Sequence, residues 1–268
     1  MPFGKYKSEY LIFLCLVNLI SNKMTRYISS MPIWAIILFV ISFFCALGFI
    51  ASRAKQAAIN AGLTASKSRN IQFGILGFYI GYLAYVSILS LKGMFDNKSI
   101  PPTVMVICAI PLMIILFGII GRTRLFKKLL RSITLESLIT IHVFRLVGVF
   151  FIFLYSYRLL PAEFAFSAGM GDIITALLAL PLAKMVSKGK SSSIFAVYAW
   201  NIFGILDILI LLVIATIEGK KSIITGGLGV REMTIFPFVW FPAFAPATIL
   251  FLHTIIFKKL HQMRKIKY

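Results

Sequence analysis

Acidic residues are scarce in this chain, with eight Asp and Glu against 28 Lys and Arg in 268 residues. Cysteine and histidine are scarcer, with three of each. Cys15, Cys45 and Cys108 lie far apart, each inside an apolar run, and read as buried thiols rather than a disulfide framework. No grouping of His, Cys, Asp or Glu has metal-ligand spacing, so no metal is expected. A nucleotide-binding motif is also missing, which argues against ATP-driven work by this chain alone, and no cofactor is expected. Apolar and polar residues do not alternate with period two, which argues against a β-barrel. No loop is long enough to build a soluble domain.

What the chain has is apolar sequence. Hydrophobic residues make up 60% of it and charged residues 13%, and the mean hydropathy is +0.94. The apolar residues come in blocks of about 18 to 25 with basic punctuation, the pattern of repeated bilayer crossings. Backbone polar groups in hydrocarbon must be satisfied within the segment, so the blocks are expected to be helices. The fold class that follows is all-α, a polytopic transmembrane helical bundle of about seven spans.

Residues 1–31 hold a short apolar run from Tyr10 to Ile20 behind Lys5 and Lys7. It suits an interfacial or partly inserted helix and would make an eighth span if it crossed; Met24 could equally be the start of the chain. The spans are then expected at about 32–51, 71–91, 103–120, 137–157, 169–186, 194–217 and 236–257, making 32–257 the bundle. Residues 258–268 form a basic tail. The second span carries Gly74, Gly77, Gly81 and Ala84 on one face, a packing signal for another helix. In the last span, interior prolines at 242 and 246 should kink or open the helix.

Between the third and fourth spans, residues 121–134 read as an amphipathic interfacial helix. Leu125, Phe126, Leu129, Leu130 and Ile133 share one face, and Arg122, Arg124, Lys127, Lys128 and Arg131 occupy the rest. Such a helix rests on anionic lipid headgroups. With seven spans, the loops on the C-terminal side carry 17 Lys and Arg against 10 on the other side. The positive-inside rule therefore predicts a cytoplasmic C-terminus. The net charge of +20 is thereby mostly topology and implies the bilayer and its anionic lipid headgroups as partners, with no nucleic acid. The Phe, Ile and Lys bias suits a bacterial cytoplasmic (inner) membrane.

The polar residues inside apolar runs are the functional candidates, because an ionised side chain at mid-membrane costs about 3 kcal/mol on insertion scales unless it is partnered or hydrated. His142 and Arg145 lie in the fourth span, Asp172 opens the fifth, Asn201 and Asp207 share a face of the sixth, and His253 lies in the last. Arg145 and Asp207 fall at similar depth, which predicts an ion pair with Asn201 nearby. By the same depth argument Asp172 belongs near the outer surface and His142, Trp200 and His253 nearer the cytoplasmic side. These six residues form a candidate ligand-binding set, an anion or proton site in an outward-facing cavity. Polar groups at one depth beside a proline-broken helix are also the pattern of transporter midplane sites.

An enzyme is the weaker alternative. Gly169-Met-Gly-Asp172 matches the Gly-x-Gly-Asp of intramembrane aspartyl proteases, which need two carboxylates close enough to share a proton. No membrane Asp precedes it in the chain, the Pro-Ala-Leu element is missing, and no catalytic residue is assigned. Taken together, Arg145-x-x-Gly148, Leu160-Pro-x-x-Phe164-Ala, Ala168-Gly-x-Gly-Asp172, Trp200-Asn201-x-x-Gly204-x-x-Asp207 and Pro242-x-Phe-x-Pro246 with His253 resemble a family of uncharacterised bacterial multi-pass membrane proteins. The resemblance covers about residues 140–256 and implies a site and a class, not an activity. The reading that results is a small-solute permease or membrane ligand-binding protein with a midplane Arg/Asp site. A structural or sensory membrane subunit and the aspartyl protease are the alternatives.

Overall fold

The computed structural model describes residues 26–97, 99–190 and 192–266. The expected interfacial helix at 10–20 and the alternative start at Met24 lie outside them. Among the described residues the chain forms eight helices, seven of them long and apolar enough to cross a membrane. The eighth is the short amphipathic one.

Helix α1 (Ile33–Asn60) follows Pro32, whose fixed φ suits a helix entry. Helix α2 (Ala65–Leu91) is capped by the Thr64 side chain, which accepts from the Lys67 amide. The expected loop at 52–70 thus shrinks to a four-residue turn, because both helices run on past the apolar core of their spans. The third span, α3 (Met105–Arg122), is irregular. Two π-helical stretches, Met105–Ala109 and Ile114–Ile119, flank a short α-helical piece containing Pro111. A proline cannot donate to the helical ladder, and widened turns are one way to accommodate it.

The amphipathic helix α4 (Arg124–Ser132) is held at both ends. Thr123 caps its start by accepting from the Phe126 amide at 3.1 Å. At its end the Lys259 ammonium donates to the Arg131 carbonyl at 2.9 Å and the Leu130 carbonyl at 3.4 Å. A cation on the terminal carbonyls satisfies orphan acceptors and complements the helix dipole.

Helix α5 (Leu135–Ser156) is interrupted by a 3₁₀ stretch at His142–Gly148. Helix α6 (Ala162–Ser187) begins directly after Pro161, with Glu163 in its first turn, rather than at Gly169 as the sequence reading has it. Its buried face includes Ala168, Gly169, Gly171, Ala176, Ala179 and Ala183, small enough to let α5 and α7 pack closely on either side. Helix α7 (Ser193–Thr225) is the longest at 33 residues and ends at Gly226 in the left-handed conformation. Helix α8 (Trp240–Ile266) is the central element, with 72% of its membrane window buried, against 22% for α2.

Helix α8 begins four residues later than expected and continues through the expected basic tail to Ile266. Pro242 therefore falls in the first turn, where a missing N–H costs little, and only Pro246 is interior. The small-residue face of α2 is a second difference. A Cβ at Gly74, Gly77 or Gly81 would meet nothing within 4 Å, so no helix among the described residues packs there. The core instead gathers around aromatic rings of α1, α5, α8 and the connector before α8, with Phe39 within 5.3 Å of the rings of Phe43, Phe150, Phe238 and Phe241.

Candidate functional site

The 3₁₀ stretch in α5 decides where the charged residues meet. At three residues per turn, side chains three apart eclipse one another. His142, Arg145 and Gly148 are the buried residues of this stretch, and they point as one stripe into the bundle.

Arg145 is the largest fully buried side chain among the described residues, at 1% exposure. Its Nε–H donates to Asp172 Oδ1 at 2.6 Å, and its Nη2 donates to Asp207 Oδ2. The third nitrogen, Nη1, reaches the Gly204 carbonyl at 3.4 Å and His253 Nε2 at 3.2 Å. Every nitrogen of the guanidinium is thus used, and each faces an acceptor from a different part of α6, α7 or α8.

Second contacts fix these partners. Asn201 Nδ2 donates to the His253 backbone carbonyl at 3.1 Å, which turns its Oδ1 toward His253 Nδ1 at 2.8 Å. Nδ1 must therefore carry the proton, leaving Nε2 as an acceptor for Arg145. His142 lies against His253 with ring centroids 4.2 Å apart and meets Trp200 edge-on at 5.1 Å. Trp200 is anchored by its indole N–H on the Thr175 carbonyl at 3.0 Å. His142 is completely buried, and neither ring nitrogen has a partner among the described residues.

Glycines make the approach possible. A Cβ at Gly148 would overlap the Asp172 side chain, one at Gly171 the Asp207 carboxylate, and one at Gly204 the His253 ring. Each glycine sits one to three residues from a member of the cluster and vacates space for a different member on another helix.

All six candidate residues converge, and the expected Arg145–Asp207 pair is present. The depth expected for Asp172 is not observed. Because α6 starts at Ala162, Asp172 lies near the middle of a 26-residue helix rather than at its mouth, and it is the second carboxylate on Arg145. His142 and His253 likewise belong to the cluster itself. The glycine roles were the part missed, although every one of them stands in a motif read from the sequence. Among the described residues there is no group of three or more metal-ligating side chains.

Asp172 also borders a cleft. A cavity of about 280 Å³ is lined by Pro102, by Met105 of α3, by Ile208 and Thr216 of α7, by Met233, and by Phe241, Pro242 and Pro246 of α8. Its walls are apolar apart from Asp172 and two threonines. Since residue 246 is a proline, the 246-to-242 backbone bond cannot form, which leaves the carbonyl of Pro242, a lining residue, without its usual helical donor. A second, more polar cavity of about 440 Å³ shares Pro102, Ala215, Thr216, Val230 and Thr234 with the first. It holds Asp96, which pairs with Arg231 at 3.1 Å and with Arg26 at 3.5 Å.

A family model described as a domain of unknown function (DUF8737) matches residues 101–261. Comparison with curated proteins and with solved structures gives no match. The matched region runs from the start of α3 into α8 and contains every member of the Arg145 cluster; α1 and α2 lie outside it. Extending over more than half of the sequence, this match places the chain in the DUF8737 family.

Proposed function

We propose that this integral membrane protein is a small-solute permease whose binding cleft ends at Asp172. The observation that carries the proposal is that the polar Asp96 cavity shares five wall residues with the apolar cleft, which in turn is lined by a carboxylate of the buried Arg145 cluster. Cavities that enclose a ligand in apolar walls with a few placed polar groups are the usual form of small-molecule sites. Ionisable residues in spans commonly mark substrate or ion pathways.

The chemistry of the cleft favours one class of solute. With Arg145 charged and both carboxylates ionised, the cluster carries a formal charge of −1. Both edges of the guanidinium are occupied by Asp172 and Asp207, so it has no free face for an anion. The anion site expected from the sequence is therefore disfavoured, and a proton or a compact cation with an apolar body fits better. Asp172 and the Pro242 carbonyl would serve as its acceptors. In our reading the C-terminus lies in a bacterial cytoplasm, which makes the cleft outward-facing.

The same geometry argues against the aspartyl protease. Its two carboxylates must share a proton, whereas here Arg145 is bonded to both.

Thermal-shift screening of the detergent-purified protein against alkyl and aromatic amines, with carboxylates as controls, tests the reading. A binder stabilises by about 2.7 kcal/mol at a hundredfold over its dissociation constant. That gain should be absent in Asp172→Asn, and the binder should enter proteoliposomes holding the wild type. A structural reading is favoured by one observation, the hydrogen bonding of all three Arg145 nitrogens. If no amine binds, or if a bound amine enters proteoliposomes equally well with Asp172→Asn, the cluster serves helix register alone.

A further inference from the structure

We propose that the apolar cavity beneath α4, at the opposite end of the bundle from the Asp96 cavity, binds one anionic phospholipid. An acyl chain fills the cavity and the headgroup rests on the Lys and Arg side chains around its mouth. This site is separate from the Asp172 cleft and does not depend on the permease reading.

The cavity measures about 410 Å³ and is walled by residues of α1, α2, α3, α4, α5 and α8. Its few polar atoms are already used. The Tyr79 and Thr248 hydroxyls bond one another at 3.3 Å. The Thr123 hydroxyl donates to the Ile120 carbonyl at 2.8 Å and accepts from Phe126. Nothing inside remains to recognise a polar ligand, so the interior selects hydrocarbon. On α2, Gly74 lines the cavity with open space where a side chain would stand.

The mouth has the opposite character. Ala54, Thr123 and Ile71 line the cavity, and the sequence brackets each of the first two with cations. Arg53 and Lys55 flank Ala54, Arg122 and Arg124 flank Thr123, and Arg69 precedes Ile71 by two. None of these five has a carboxylate within salt-bridge distance among the described residues. Helix α4, which roofs the cavity with Phe126 and Leu129, cannot drift away, since Lys259 ties its C-terminus to α8 and Phe126 packs on Phe251 with centroids 5.4 Å apart. Cations adjacent in sequence to the walls of a hydrocarbon-lined chamber complement a phosphate-bearing headgroup joined to an acyl chain.

Native mass spectrometry of protein exchanged into mixed phosphatidylglycerol and phosphatidylethanolamine micelles provides the test. The wild type should retain one phosphatidylglycerol in preference to the zwitterionic lipid. Gly74→Phe, which fills the cavity from a position with no neighbours, should lower that retention by at least about tenfold, as should the Arg122→Gln/Arg124→Gln pair. Ile75→Trp offers a second filling variant should Gly74→Phe fail to fold. Equal retention of both lipids by the wild type would overturn the proposal. So would phosphatidylglycerol retained by the filled variants and lost only on removing the arginines, since the lipid would then adsorb by its headgroup without entering the cavity.

Discussion

Replacing Arg145 by Gln should be the most damaging single neutralisation in the cluster, and the structure sets the reason. Arg145 sits between two carboxylates with side chains 7% and 8% exposed, and its own is fully buried. Unit charges about 4 Å apart attract by about 4 kcal/mol at an effective dielectric constant of 20. The two carboxylates lie against different nitrogens of one guanidinium, so their mutual repulsion is weaker than either attraction. Arg145→Gln removes both attractions and keeps the repulsion; breaking a buried pair in this way costs about 3–5 kcal/mol. Asp207→Asn leaves Arg145 and Asp172 as a neutral pair whose amide neighbour can still accept from Nη2, so its cost is about 1–2 kcal/mol. The fully neutral Arg145→Gln/Asp172→Asn/Asp207→Asn variant should then be more stable than Arg145→Gln alone. Melting of the detergent-purified proteins, followed by size-exclusion fluorescence, reads this directly. A domain of this size moves by roughly 2–4 °C per kcal/mol, so Arg145→Gln should melt about 10 °C below the wild type, with the triple variant recovering a substantial part. Losses that simply add across the three sites would show that the side chains act independently, and the reasoning would fail.

Three further outcomes are expected. Gly148→Ala, whose methyl would overlap Asp172, should abolish or strongly reduce folded yield, whereas Gly77→Ala, with nothing within 4 Å, should melt within about 1 °C of the wild type; equal effects would refute the interlocking role of the glycine. His142→Phe should be neutral or stabilising by about 1 kcal/mol, because it replaces a buried ring without hydrogen bonds by an apolar one; a fall of several degrees would mean that the imidazole nitrogens are bonded in the membrane. Glu232, in the connector before α8, is held above the usual carboxylate range by burial, with the Ser29 hydroxyl and Arg231 only partly offsetting it. The folded state therefore holds that proton more tightly than the unfolded chain, so its contribution to stability is full below the ordinary carboxylate pKa and is lost as pH rises through the raised one. Glu232→Gln should flatten that slope and stabilise near neutral pH, and melting from pH 4 to 8 would expose an unchanged slope as a contradiction.

The spans were legible because twenty apolar residues between basic turns admit little besides a membrane helix. The Arg145–Asp207 pair was legible because equal depth could be counted along two helices. Asp172 was misplaced for a local reason. The Gly-rich Ala168–Gly171 segment looked like a helix start, while Pro161 followed by Ala162 and Glu163, a proline entry with an acid in the first turn, was the true signal. The stripe on α2 shows the reverse limitation. Gly77 and Gly81 create a smooth face, but only the three-dimensional arrangement shows that no helix among the described residues uses it. The important glycines were those beside charges, and their partners lie 24 to 49 residues away in sequence, where no local pattern points. The 3₁₀ stretch was not legible either, since His142–Gly148 has the composition of any membrane α-helix.

That stretch links the cluster to motion. In an α-helix, residues three apart fall about 60° short of a full turn, so His142 and Gly148 would lie roughly 120° apart instead of eclipsed. Here the 3₁₀ form lets Gly148 meet Asp172, Arg145 reach both carboxylates, and His142 lie against His253 at once. Its hydrogen bonds are poorer than α-helical ones, and runs as long as this seven-residue stretch are uncommon. The contacts of Arg145 are what offset that cost. On the permease reading, a cation seated at Asp172 competes for the carboxylate that Arg145 Nε–H now holds, weakening the contact that keeps the segment in this form. A ligand can shift a conformational equilibrium only through such a difference in contact between two states. We predict that a bound amine will raise amide hydrogen exchange in residues 142–149 while lowering it around the cleft at residues 208–216. Exchange that falls in both segments together would mean that the ligand merely rigidifies the bundle, and would remove the 3₁₀ stretch as the moving part.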